Sequence, residues 1–506
     1  MSGWMAWALN ADKGSALSSS IRSPAGWTHA FVFWEDVITI NVHIDAISLY
    51  FILLANIVAL AASWISAVQT EYDPLLSGFQ NPAFFHACLN GFHFTMLLVP
   101  ILDNMILLWV AIELTTLSSA LVVGFYDTRS AWEAAWKYLI ITSAGIVLAL
   151  LGTMFLAHAI ADPPVIQGGP DTLMNWTQLM VLAHNHKLEQ DFVTLSFLFI
   201  LIGYGTKAGL APMHTWLPDG HGEAPPAVSA LLSGVLLKLA LYAILRFTTI
   251  TNASLGSAAF TSNLLLAAGL LSLCVATPLI LKRNRFKRVL AYHSVEHMGI
   301  ICFGLGIGAP FALAGALLHT FNHAVTKALM FLAYGSVEYR YRRALNSTMA
   351  LHEHDIDRKI TGVMRAMPKT AALLTFGGLA LVGSPPFGIF LSELMILWGA
   401  LESVVRGSPV SPTGLPNAVV LIGVAIFMLT TTLIFFGLIR HLSDRLLGKP
   451  PEAVRKTRIA ERLLHDLTPL ILLGVFVAFG VFFVSWSELL DLSVAVLTAD
   501  GKSWGR

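Results

Sequence analysis

Apolar residues run along this chain in long blocks separated by short polar turns. Requiring about twenty mostly apolar residues per membrane crossing, the pattern predicts twelve helices, near 44–69, 84–102, 104–125, 137–159, 192–212, 225–247, 262–281, 289–308, 310–337, 370–400, 417–440 and 467–495. The fold class is therefore an all-α polytopic membrane protein. Residues 1–43 form an N-terminal segment broken up by Asp12, Lys13, Arg22 and Glu35, and no cleavable signal peptide is expected there.

Two of the blocks are interrupted at matching places. The first breaks at Lys207-Ala-Gly-Leu-Ala-Pro212, the second at Gly383-Ser-Pro-Pro-Phe-Gly388, followed by Glu393. Proline removes a backbone donor and clashes with the preceding turn, so these positions break a membrane helix. After a first helix and loop (44–83), residues 84–247 and 262–440 form two groups of five helices, and the broken helix is fourth in each. An odd number of spans per group makes the second group inverted relative to the first, the plan of many transporters. A basic loop, a last helix and a tail fill 441–506.

Composition agrees with this plan. The chain of 506 residues is 56% hydrophobic and 12% charged, with mean hydropathy +0.71, which excludes a soluble protein. A net charge of +1 gives no case for nucleic acid. Cys88, Cys274 and Cys302 lie far apart in apolar spans without metal-ligand spacing, so they read as free core cysteines; no metal is expected. Loops joining odd to even helices carry 21 Lys and Arg, whereas the opposite side, with both termini, carries 7. The basic loops then face the cytoplasm and both termini face outward, in a cell inner (plasma) membrane.

Ionisable residues inside the spans point to function. Each costs about 2.5–3.5 kcal/mol at the bilayer centre on insertion scales. The chain nevertheless places Glu113, Lys207, Lys238, Glu296, His297, His319, His323, Lys327 and Glu393 there. His319, His323 and Lys327 are spaced i, i+4, i+8, so they form one polar stripe along a helix. Proton transfer needs donors and acceptors within hydrogen-bond or single-water reach, which such a stripe supplies. Glu113 and Lys207 can form a pair whose opening changes the lysine's affinity for its proton. His214 and His221, in His214-Thr-Trp-Leu-Pro-Asp-Gly-His221, are either where protons enter or loop caps. Any one of these residues can instead be a structural contact between helices, a reading with more weight for Glu296 and His297 than for the others. Asp103, His158, His184 and His186 fall at span ends or in loops and are expected to be solvated.

The same residues carry a resemblance. Lys207-Ala-Gly-Leu-Ala-Pro-Met-His-Thr-Trp-Leu-Pro-Asp219, continuing through Glu223-Ala-Pro-Pro-Ala-Val-Ser-Ala230 to Lys238, resembles the signature of the antiporter-like subunits of respiratory complex I and Mrp antiporters. So do Glu113-Leu-Thr-Thr-Leu-Ser-Ser-Ala120, His319-Thr-Phe-Asn-His-Ala-Val-Thr-Lys-Ala-Leu-Met-Phe331 and Pro385-Pro-Phe-Gly-Ile-Phe-Leu-Ser-Glu393. Within that family, Ala291-Tyr-His-Ser-Val-Glu-His-Met-Gly299 and Ala134-Ala-Trp-Lys-Tyr138 look most like the F subunit of hydrogenase 4, the formate hydrogenlyase type of group 4 [NiFe] hydrogenase. The resemblance implies a proton-translocating subunit in which Glu113 and Lys207 are the coupled pair, and Lys238 and the histidine stripe continue the route to Glu393 at the exit side. Family members usually have two more helices before the span at 44–69, a departure that bears on packing against a neighbouring subunit.

The leading reading is a proton-translocating, non-catalytic membrane subunit of a multi-subunit redox complex of the hydrogenase type. The chain is expected to hold no cofactor, since it has no cysteine cluster, no GxGxxG after a strand and no haem-type pairing. Iron–sulfur clusters and a NiFe centre would belong to partner subunits in a peripheral redox arm, alongside other membrane subunits. Two alternatives stand beside it. One is the ion-conducting subunit of a complex I-like NADH/quinone oxidoreductase or an Mrp-type cation/proton antiporter, carrying H⁺ or Na⁺. The other is a non-conducting scaffold or a membrane partner of an ion-coupled carbon-uptake protein, which the many buried ionisable groups argue against.

Overall fold

In lipid every backbone polar group must be satisfied within the protein, so long uncharged runs close into helices. The computed structural model describes residues 26–33, 38–70, 82–160, 173–282, 284–346, 353–405, 414–457, 470–471, 473–475 and 484–498. The helices are α1 (Ala46–Thr70), α2 (Pro82–Leu98), α3 (Met105–Val123), α4 (Arg129–His158), the short α5 (Trp176–His184), α6 (Gln190–Ala208), α7 (Leu217–Glu223), α8 (Pro226–Leu255), α9 (Ala259–Leu281), α10 (Phe286–Ile307), α11 (Pro310–Asn346), α12 (Glu353–Lys359), α13 (Val363–Ala366), α14 (Pro368–Leu381), α15 (Gly388–Val405), α16 (Asn417–Leu446), α17 (Glu452–Thr457) and α18 (Val484–Thr498). Among the described residues, eight helices are long and apolar enough to cross a membrane. Helix α11 with the polar stripe, and α10 with His293, Glu296 and His297, fall outside that set because these polar side chains lower the hydropathy. Much of the N-terminal segment and part of the expected last helix lie outside the described residues.

One departure from an all-helical fold is a hairpin. Strands β1 (Trp27–Phe33) and β2 (Ile38–Ile44) pair antiparallel, with Trp27 opposite Ile44 and Phe33 opposite Ile38. The run Ile-Thr-Ile-Asn-Val-His-Ile alternates apolar and polar residues, which is strand periodicity. The outer edge of β2 is covered: His43 N–H donates to the Ile101 carbonyl at 2.9 Å and Asp103 N–H to the Asn41 carbonyl at 3.0 Å. Asp103 is thus buried rather than solvated, and its carboxylate accepts from Thr177 N–H at 3.2 Å and Thr177 Oγ at 2.8 Å.

The centre of the bundle is α8, buried on every side, as expected of a helix that is apolar all round. The perimeter includes α16, whose exposed Leu421, Ile422, Leu429 and Phe436 form an apolar face. Helices pair closely where glycines face each other: a Cβ on Gly203 would meet Ala149 of α4, and one on Gly269 would lie 2.7 Å from the Gly299 carbonyl of α10. The cysteines are free, as read from sequence, but only Cys302 is buried; Cys274 is exposed on the bundle surface.

Ion pairs sort the bundle ends. At one end Lys137 of α4 meets Asp219 of α7 at 3.3 Å, Arg288 meets the same Asp219, Arg285 meets Glu223, Lys287 meets Glu338 at 2.8 Å and Arg445 meets Asp357 at 2.7 Å. The basic loops assigned by parity to one side do gather there. Arg246, counted from sequence among the loop residues of the other side, is instead buried. Its guanidinium grips Asp45 in a two-pronged pair at 2.7 and 2.8 Å and lies 4.2 Å from the Trp176 ring centre. Arg246 Nε donates to Tyr242 Oη at 2.9 Å. This network ties the start of α1 to α8 and α5.

Candidate functional site

Both breaks form where the sequence places them. Helix α6 ends at Gly209, whose φ of +78° favours glycine, and Leu210 N–H returns to the Gly205 carbonyl at 2.9 Å. Helix α14 ends likewise at Gly383 (φ +64°), with Ser384 N–H bonded to the Leu379 carbonyl at 3.1 Å. A Cβ on Gly383 would lie 3.0 Å from Glu393 Cδ. The missing side chain is therefore also the room in which the Glu393 carboxyl sits.

Beside the first break, Lys207 is buried and its ammonium reaches α3. Its ammonium donates to the Ile112 carbonyl at 2.6 Å and to Thr116 Oγ. Thr116 in turn donates to Glu113 Oε2 at 3.2 Å, and Ser143 donates to Glu113 Oε1 at 2.8 Å. The expected pair is thus joined through a hydroxyl. Glu113 itself is half-buried at the edge of the bundle.

Next comes Lys238, at the centre of α8. A π-turn at Leu232–Leu236 widens the helix just before it, and its ammonium donates to the Ser233 carbonyl inside that turn. Ser233 Oγ bonds Ser294 Oγ of α10 at 2.8 Å. His221 is fully buried with neither ring nitrogen bonded, and its ring centre lies 5.7 Å from that of Phe331 on α11. His214, in a 3₁₀ turn at Met213–Trp216, is also buried and its Nδ1 has no partner. Both histidines are internal groups rather than solvated loop caps.

The second half brings the remaining residues together. Lys327 donates to the Leu290 carbonyl of α10. His297 and His323 stack with ring centres 4.4 Å apart, and His297 Nδ1 lies 2.8 Å from His319 Nε2. His319 Nδ1 lies 3.0 Å from Ser392 Oγ of α15, one residue before Glu393. Among the described residues no hydrogen bond joins Lys207 to Lys238.

Sequence reasoning missed His293. It bonds Glu296 through Nδ1 at 2.7 Å, and its i+3 and i+4 spacing to Glu296 and His297 was the available signal. It also missed Thr116 as the link between Lys207 and Glu113, and Ser143 and Ser392 as partners of Glu113 and His319. The last two come from other helices, and no spacing announces them.

The fold and this site define a class: a polytopic helical membrane protein with two broken helices flanking a buried series of lysines, histidines and glutamates. Residues 103–408 match the family described as NADH:quinone oxidoreductase/Mrp antiporter, transmembrane, and the chain belongs to that family. A hydrogenase-4 component F homolog of Methylacidiphilum infernorum is 40% identical over 71% of this chain and 72% of its own. Hydrogenase-4 component B of Escherichia coli is 28% identical over 72% of this chain, which spans about half (52%) of that relative. An NAD(P)H-quinone oxidoreductase chain 4 of Trichodesmium erythraeum is 29% identical over 72% of this chain and 59% of its own. Two solved structures share the fold. A subunit of the archaeal membrane-bound sulfane sulfur reductase superposes with TM-score 0.76 at 22% identity, over 99% of this chain and 90% of that one. A chain of the Mrp complex from Dietzia sp. gives TM-score 0.71 at 17% identity, over 98% and 93%. The protein is an antiporter-like membrane subunit of hydrogenase-4 or complex I type.

Proposed function

We propose that this chain translocates protons as a membrane subunit of a membrane-bound [NiFe] hydrogenase-type complex, coupled to electron transfer in partner subunits. The observation that carries the proposal is the buried series Glu113–Thr116–Lys207, then Lys238, His221, Lys327, His323, His297, His319 and Glu393, within a chain whose relatives include the hydrogenase-4 component F homolog. Two half-routes, each beside a broken helix, support a plan of twelve spans with two inverted five-helix repeats. The gathering of basic loops at one end supports a cytoplasmic position for that end in an inner membrane.

The first half works through three groups. The Lys207 ammonium gives a proton to the Thr116 oxygen while Thr116 releases its own hydroxyl proton to Glu113, so the lysine becomes neutral and the carboxylate becomes a carboxylic acid. In the second half, each imidazole takes a proton on one nitrogen and releases one from the other, which carries a charge along the His297–His319 contact without moving either ring. Iron–sulfur clusters and a NiFe centre would be held by a peripheral arm, with H⁺ as the carried ion.

The test is Lys207→Ala in the assembled complex. Proton pumping into inverted vesicles should be abolished while the subunit still co-purifies with its partners, and pumping at the normal rate would refute the coupled pair. Nickel and iron analysis of the same purified complex tests the hydrogenase assignment. A second reading, an Mrp-type or complex I-type ion conductor, is favoured by the fold shared with the Mrp chain. Nickel-free complex showing sodium-driven activity without an electron donor would support it.

A further inference from the structure

His297, His319 and Glu393 come from three helices, α10, α11 and α15, yet one ligand atom of each lies within 4.8 Å of the others. Hydrogen-bond directions decide which nitrogens are free. Ser392 Oγ donates to the Ile389 carbonyl at 2.8 Å, so towards His319 Nδ1 at 3.0 Å it accepts. His319 therefore carries its proton on Nδ1 and presents a lone pair at Nε2. That lone pair accepts the N–H of His297 Nδ1 at 2.8 Å. His297 Nε2 has no partner although the ring is fully buried. A metal-binding histidine is held in the same way, with its far nitrogen donating to an oxygen that orients the ring.

We propose that His297, His319 and Glu393 form a site for a divalent transition-metal ion of the zinc type, which takes the place of the proton between the two imidazoles. Two imidazoles and one carboxylate are a three-ligand zinc set that leaves a fourth position for water. Ligand atoms around tetrahedral zinc stand about 3.3 Å apart, so the two ring nitrogens separate by about half an ångström and the carboxylate turns in. As the ion takes His297 Nδ1, the ring's proton moves to the unpartnered Nε2, so His297 binds as a neutral imidazole. Glu393 is the least enclosed of the three ligands, since it is partly buried where both histidines are fully buried. Lys327 does not compete for the ligands, because its ammonium is engaged by the Leu290 carbonyl. A second set, His293, Glu296 and His297, is equally close. There His293 and Glu296 already bond each other at 2.7 Å, and all three residues are buried on one helix.

An ion bound here pins α10, α11 and α15 together and removes two proton-carrying rings, so it blocks translocation. That consequence rests on the function proposed above; the binding does not. The experiment titrates the full chain, purified in detergent, with Co²⁺ and then Zn²⁺, read by the visible absorption of tetrahedral Co²⁺ and by calorimetry. One ion per chain is expected. Glu393→Gln and His319→Gln should each weaken it about tenfold or more, and Ser392→Ala about tenfold, whereas Glu296→Gln should change it less than about threefold. Glu393→Gln is nearly isosteric, and its elution profile on gel filtration verifies folding. Absence of stoichiometric binding to the folded protein overturns the proposal. So does binding that survives Glu393→Gln and is lost in Glu296→Gln. Because the readout is spectroscopic, a failure of the translocation reading leaves this result unaffected.

Discussion

Lys207 and Glu113 do not touch. The lysine ammonium rests on Thr116 and the Ile112 carbonyl, and Thr116 passes a hydrogen bond on to the glutamate. Removing the hydroxyl while keeping the shape, as in Thr116→Val, should lower proton translocation about tenfold or more, within the range of a lost proton-transfer group. Thr116→Ser should restore most of it. The assay is pH-gradient formation in inverted vesicles of the assembled complex. Equal rates in the Val and Ser variants would show that the hydroxyl is not in the path.

The Asp45–Arg246 pair is structural. Asp45→Ala leaves a buried guanidinium without its counter-charge and should cost about 3–5 kcal/mol, seen as a lower melting temperature in detergent. Arg246→Met combined with Asp45→Ala should recover much of that loss. Burial by itself would raise the Asp45 carboxyl, but the Arg246 charge and the neighbouring His43 hold it well below the usual carboxylate range. A depressed value stabilises the fold above the unfolded value of about 3.9 and is lost as pH falls through the folded one. This pair should therefore contribute fully and evenly from neutral pH down to about pH 4, which a melting series in wild type and the double variant measures as a constant difference.

A methyl group at Gly383 meets two obstacles. The φ of +64° disfavours any side chain, and the Glu393 carboxyl occupies the space. Gly383→Ala should cost about 1–3 kcal/mol of stability and displace Glu393. Translocation should then fall more than it does in Gly256→Ala, where φ is +62° but a Cβ would have nothing within 4 Å. The comparison separates backbone strain from loss of the carboxyl's place.

Asp219 offers a contrast with Asp45. It bridges Lys137 and Arg288 at an end of the bundle, where Lys137 is 47% exposed. Water and salt screen such pairs, so Asp219→Asn should change stability by less than about 1 kcal/mol. A melting shift as large as that of Asp45→Ala would mean that this end is closed to solvent.

Much of the fold is legible in the sequence because a membrane leaves few choices. Apolar runs become helices, since unpaired backbone groups are too costly in lipid. Gly209 with Pro212, and Gly383 with Pro385 and Pro386, stop helices through their own backbone chemistry. The i, i+4, i+8 spacing alone puts His319, His323 and Lys327 on one face of a helix. The hairpin at Trp27–Ile44 escapes a reading based on membrane spans, because it is too short and too polar to cross, although its alternation is plain.

Local chemistry thus determined the helices, their breaks and the stripe on α11, because those features depend on residues within a few positions of each other. Tertiary structure alone decided that Thr116 stands between Lys207 and Glu113, that Ser392 orients His319, and that Arg246 is buried against Asp45 across 201 positions of chain. Those contacts arise where separate helices pack side by side, and a single sequence carries no periodicity that records which faces meet.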